Sequence, residues 1–100
     1  MAKTKDFDAA EYLDSPQAIA AYLSEAFQTN DDALIAQALG TVARIKGMAG
    51  IAKETGLNRE NLYRSLSEGG KPELSTVMKV LDALDVQLVA KPKEEERKAA

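Results

Sequence analysis

The sequence predicts an all-α domain, and three observations carry that prediction. Apolar residues recur with a helical period along most of the chain. Apolar content is 45%, but only two Phe, three Tyr and no Trp are present, so the core must be mostly Ala, Leu, Ile and Val. That composition favours close-packed helices over a β-sandwich. Start and stop signals such as Ser15-Pro16, Gly56, Asn58 and Gly69-Gly70 punctuate the pattern at helical spacing. At 100 residues the chain is one domain.

About five helices and a candidate terminal strand account for the pattern. Phe7–Leu13 reads as one irregular turn. Ser15 is an N-cap followed by Pro16 at the first helical position. The helix from there to about Thr29 has Ile19, Tyr22, Leu23, Ala26 and Phe27 on one face. Thr29-Asn30-Asp31 breaks the chain and caps a helix to about Lys46, whose stripe is Leu34, Ile35, Ala38, Leu39, Val42 and Ile45. Gly40 inside it costs roughly 1 kcal/mol relative to Ala, which points to close packing there.

Residues 48–67 read as two short helices around a glycine turn. The first, near Ala49–Thr55, turns Ile51 and Ala52 inward and stops at Gly56, a left-handed exit. The second opens at the N-cap Asn58 and buries Leu62 and Leu66. Ser67–Pro72 is then a loop, and Glu73 to about Leu84 a helix with Leu74, Val77, Leu81 and Leu84 inward. Asp85 ends it. Val86–Lys91 has β-branched character and reads as a short C-terminal β-strand that would need a partner, such as the same strand of a second subunit. Residues 1–91 thus form the domain, with N-terminal helices over 7–46, the two-helix motif over 48–67 and the C-terminal helix and strand over 73–91. The charged stretch 92–100 lacks apolar anchors and is expected to be disordered.

Composition removes several classes of chemistry. The chain has no Cys and no His, which excludes disulfides, Cys/His zinc sites and His-dependent triads. Asp6, Asp8, Glu11 and Asp14 lack the spacing and the glycine of an EF-hand loop, and read as a solvated acidic face. No pair of side chains suits nucleophilic or metal catalysis, so neither an enzyme nor a cofactor is expected. No apolar run approaches the roughly 18 residues of a membrane span, and the N-terminus lacks a signal-peptide core, so a cytoplasmic protein with no membrane partner is expected.

Net charge is −3, but it is unevenly spread. Residues 1–39 carry two Lys against seven acids, residues 40–72 six cations against three acids, and residues 73–100 five cations against six acids. The only positive third holds the two-helix motif, and local potential rather than total charge steers a polyanion. The competing reading is that so small an excess is chance.

A helix, a glycine turn and a second helix buried on one side and polar on the other form the pattern of a DNA-binding helix-turn-helix. Arg59 and Arg64 are the first candidates for base or phosphate contacts, because guanidinium grips guanine or phosphate in two-pronged fashion. Their competing reading is two solvated arginines. Asn58 sits where it can cap the helix and also reach DNA. Glu60 either accepts from a cytosine amine or is a first-turn acid favoured by the helix dipole. Asn61 is a candidate phosphate contact, as is Tyr63 through its hydroxyl, although half-buried packing explains Tyr63 equally well. Lys71 follows Gly69-Gly70 in a loop suited to approach the DNA backbone, or is a plain solvated lysine.

The segment GLNRENLYRSLSEGGKPELSTVMKVLDALDVQL resembles the lambda repressor-like, or Cro/repressor (Xre), helix-turn-helix fold. With FDAAEYLDSPQAIAAYLSEAF and the helix end ALGTVARIKGM included, the chain is similar to the addiction-module antidote family over roughly residues 5–91. The resemblance implies an antitoxin of a bacterial toxin–antitoxin module that binds operator DNA and neutralises a RelE/ParE-like toxin, commonly an endoribonuclease. The chain departs from the Xre pattern at Met48 or Ala49, where a small polar residue or Gln often stands, and at Arg59 and Glu60, where amides are frequent. The expected partners are a pseudo-palindromic operator, a small basic toxin and a second copy in a homodimer. The acidic N-terminal 39 residues are the expected surface for the toxin. Competing readings are a stand-alone phage-type repressor and a helical protein-interaction module without DNA binding.

Overall fold

A computed structural model describes residues 9–93. A helical turn, Ala9–Tyr12, precedes five helices: α1 (Pro16–Gln28), α2 (Asp32–Lys46), α3 (Met48–Thr55), α4 (Arg59–Ser65) and α5 (Leu74–Ala83). The domain is all-α, as the composition and periodicity predict. Asp6, Asp8 and the tail from residue 94 onward lie outside the described residues.

The ends of the helices follow from local chemistry. The Ser15 hydroxyl accepts from the Ala18 amide at 3.1 Å, and the Asp31 carboxylate accepts from Ala33 and Leu34 at 3.0 and 3.3 Å. These bonds satisfy N–H groups that the first turns leave without helical partners. Gly47 closes α2 and opens α3 at once: its N–H donates to Ala43 and its carbonyl accepts from Ile51. At the end of α5, Asp85 takes a φ of +62°, while the Val86 N–H reaches back to the Leu81 carbonyl at 3.0 Å. That is the Schellman arrangement, and it stops the helix at the residue expected.

The core is aliphatic. Ile19 and Leu23 of α1 meet Leu39 and Val42 of α2, and Met48, Ile51, Leu62, Leu66, Val80, Leu81 and Leu84 continue the same cluster. Among the described residues no polar or charged side chain is buried. Helix α1 packs on α2, α2 on α3, and α3 on both α4 and α5, so α3 is the hub of the C-terminal half. Gly40 is buried because α2 lies directly under the turn that follows α4. A Cβ there would collide with the Leu66 carbonyl oxygen, which is the close packing anticipated for a mid-helix glycine.

Three expectations need correction. Leu34, expected inward, is 45% exposed, while Ala36 and Ala43 are fully buried. Helix α2 is covered by α1, by α3 and by the turn that follows α4, and Gly40, which has no side chain, marks the closest approach. The buried arc is therefore displaced from the stripe of large residues toward the small ones, leaving Leu34 at its edge. Leu74, also expected inward, is 64% exposed, because the first turn of α5 projects beyond the core that holds Val77, Val80 and Leu81. Val86–Lys91 forms no strand in the single chain. No neighbouring edge among the described residues offers this segment a ladder, so its backbone has no reason to become one.

Candidate nucleic-acid interface

Helix α4 is only seven residues long, and its position is set from behind. Leu62 and the C-capping Leu66 are buried at 1% and 0% exposure. In front of it, Gly56 ends α3 with a φ of +76°, a left-handed conformation that suits glycine and turns the chain within three residues. The Thr55 hydroxyl donates to the Ile51 carbonyl at 2.7 Å and accepts from the Leu57 amide at 3.2 Å, which fixes the same turn. The Asn58 side-chain oxygen then accepts from the Asn61 amide at 3.0 Å and starts α4. Asn58 is thus a working N-cap, with its NH2 group left to donate outward.

With Leu62 inward, Arg59, Glu60, Asn61, Tyr63 and Arg64 all lie on the exposed side. The Arg64 guanidinium donates to the Asn61 side-chain oxygen one turn before it. That leaves the Asn61 NH2 and the remaining Arg64 N–H groups as a cluster of donors only. The Arg59 guanidinium lies over the Tyr63 ring, 5.9 Å from its centroid. Each arginine is therefore held by a neighbour on its own helix, which lowers the entropy lost when it engages a partner. Glu60 stands in the first turn, where the helix dipole favours a carboxylate, and makes no ion pair among the described residues.

Lys71 is brought to the same end of the molecule by the loop. The Ser67 hydroxyl donates to the Arg64 carbonyl at 2.9 Å, and Gly70 packs so tightly on the end of α4 that a Cβ would strike the Ser65 carbonyl oxygen. Lys71 and Arg64 consequently line one shallow depression with Ser67 and Thr76. Glu68 and Glu73 line it too, so two carboxylates offset the two cations there. All seven residues singled out from the sequence are exposed, six of them at the N-cap or on α4 and Lys71 in the loop that follows. Arg44, which the sequence marks only through the regional charge, lies near the C-terminal end of α4. Its Nη1 lies 3.2 Å from the place a Gly40 Cβ would occupy, beside the Leu66 carbonyl at the C-terminal end of α4. The signal in the sequence was the Gly40–Arg44 spacing of one helical turn.

The fold and this face define a small all-α protein that presents one short, polar, arginine-bearing helix from an aliphatic core. A family model described as "Probable addiction module antidote protein" matches residues 3–92. This chain belongs to that antidote family. It is 48% identical over 83 residues to an uncharacterized protein of Haemophilus influenzae (strain ATCC 51907 / DSM 11121 / KW20 / Rd), an alignment covering 83% of this chain and 86% of that protein. No solved structure matches it. Among the described residues no helix is long and apolar enough to cross a membrane.

Proposed function

We propose that this chain is the DNA-binding antitoxin of a bacterial toxin–antitoxin module. It represses its own operon through an Xre-type helix-turn-helix and neutralises a RelE/ParE-like toxin in the cytoplasm. The observation that carries the reading is the exposed face of α4 in a chain of the antidote family. There Asn61 holds Arg64, Tyr63 holds Arg59, and two buried leucines aim all four outward. Helix α4 enters the major groove, Arg59 and Arg64 read bases or grip phosphate, and Asn58, Asn61, Tyr63 and Lys71 position the helix on the backbone. Glu60 discriminates by accepting from cytosine or rejecting phosphate.

The active species is a homodimer on a pseudo-palindromic site, because one seven-residue helix with few cations binds weakly alone. Leu88 and Val89 are 44% and 69% exposed, which suits a seam for a second copy near the C-terminus. Gel retardation with the chain's own promoter tests the DNA reading. Arg59→Ala and Arg64→Ala should each weaken binding by about 1–3 kcal/mol if they read bases. Equal weakening on all sequences would assign them to phosphate, and unchanged retardation by both would reject the recognition face. Truncation after Val86 keeps the cap of α5 yet should yield a monomer by light scattering, with promoter affinity lost. A truncated dimer would move the seam elsewhere.

A further inference from the structure

Between α1 and α2 runs an open groove of about 400 Å³ that the DNA-binding reading does not use. Half-buried Tyr22 and Ala26 of α1 line it together with Ala38 of α2, and Leu34 stands in it with nearly half its surface exposed. Glu25 sits on its rim, and Gln37 and Thr41 supply hydrogen-bonding groups. Glu25 is the one charged residue in its lining, Asp31 and Asp32 precede Leu34 at one end, and Arg44 follows Thr41 by one turn at the other. Residues 9–43 contain Glu11, Asp14, Glu25, Asp31 and Asp32, all exposed, and not one Lys, Arg or His.

We infer that this groove is the docking site for the toxin, and that it receives an apolar side chain flanked by Lys or Arg. The inference rests on the antitoxin reading and adds to it where the toxin binds. Charge selects the occupant. A nucleic acid would be repelled by Glu25 in the lining and by Asp31 and Asp32 beside Leu34. A second copy would bring the same Glu25, Asp31 and Asp32 against these, so like charges would face each other across the seam. A protein that handles RNA carries the opposite sign on its working surface and meets the groove with complementary potential. Leu34 and Tyr22 supply the desolvated centre that such an interface needs, and the carboxylates supply its rim. The site lies on helices other than α4, which leaves the recognition face free to hold DNA.

The test uses the full chain and, as probe, the protein encoded by the adjacent reading frame, co-expressed, separated under denaturant and refolded. The parent chain should bind it, and Leu34→Glu and Glu25→Lys should each weaken binding by about tenfold or more. The Glu25→Lys deficit should shrink at high salt, where charge is screened, whereas that of Leu34→Ala should persist. Ser24→Lys places a lysine on the exposed far side of α1, a change of one charge where Glu25→Lys changes two, and should stay within about twofold of the parent. Circular dichroism melts and promoter retardation check that the variants fold. A parent complex that all the variants form equally well would overturn the groove and leave the antitoxin reading standing. No complex with the parent would overturn the antitoxin reading, and this inference with it. A parent dimer that Leu34→Glu converts to monomer would give the groove to a second copy and overturn the toxin assignment.

Discussion

Helices α1 and α2 run for 13 and 15 residues, whereas α3 and α4 run for only 8 and 7. Both pairs feed the same aliphatic core, but they are ordered by different means. Isolated helices below about 12–15 residues are marginal in water, so α3 and α4 draw their order from burial and from their caps. For α4 the burial is almost entirely Leu62 and Leu66, and the cap is Asn58. The pairs differ in charge as well. Residues 9–43 hold five carboxylates and no cation; Arg44 and Lys46 end α2, and Lys53, Arg59, Arg64 and Lys71 follow it. The first pair is the frame, anionic up to the last turn of α2; the second includes the short polar helix that the frame holds in place.

The sharpest way to break that comparison is to remove what holds α4 from behind. Leu62→Ala or Leu66→Ala should destabilise the domain by roughly 2–5 kcal/mol, each leaving a cavity in a small core. Arg64→Ala, on the front of the same helix, should cost under about 0.5 kcal/mol. A urea titration that ranked them the other way would mean α4 is rotated by half a turn.

Gly40→Ala probes the same support from the frame side, and its sign decides the matter. Helix propensity alone would make this change stabilising by about 1 kcal/mol. Because the added Cβ would strike the Leu66 carbonyl, the expected outcome is a loss of about 1–3 kcal/mol. A raised melting temperature would show that α2 and the end of α4 are not in contact.

The cap carries a smaller effect than either of these supports. Asn58→Ala should cost about 1 kcal/mol, since the Asn61 amide loses its acceptor at the helix start. Promoter binding should fall with it, because the segment bearing Arg59 frays. The equivalent change at Ser15 should cost a similar amount of stability and leave promoter binding untouched. Equal loss of DNA binding in both would mean the cap acts only through global stability.

Much of this was legible without coordinates, because it is set by neighbours in the chain. Ser15-Pro16, Asp31, Gly56 and Asn58 mark helix ends through bonds spanning two to four residues, and each acts where it was expected. The polar face of α4 followed from the spacing of Leu62 and Leu66. The misplacements concern edges. Leu34 and Leu74 are large and apolar and fall on the right period, yet periodicity cannot say how far a neighbouring helix extends to cover them. For Val86–Lys91, β-branched residues suggest a strand, but a strand exists only where another edge receives it.

What the sequence determined by itself was therefore the helical class, the helix boundaries and which side of α4 faces water. Each of these depends on capping bonds and periodicities within one turn or two. Only the tertiary structure decided that Gly40 lies under Leu66, that Lys71 and Arg64 line one depression, and that Leu34 is left in an open groove beside Glu25. Those outcomes depend on how closely separate helices approach, which is set by the packing of small residues far apart in the chain.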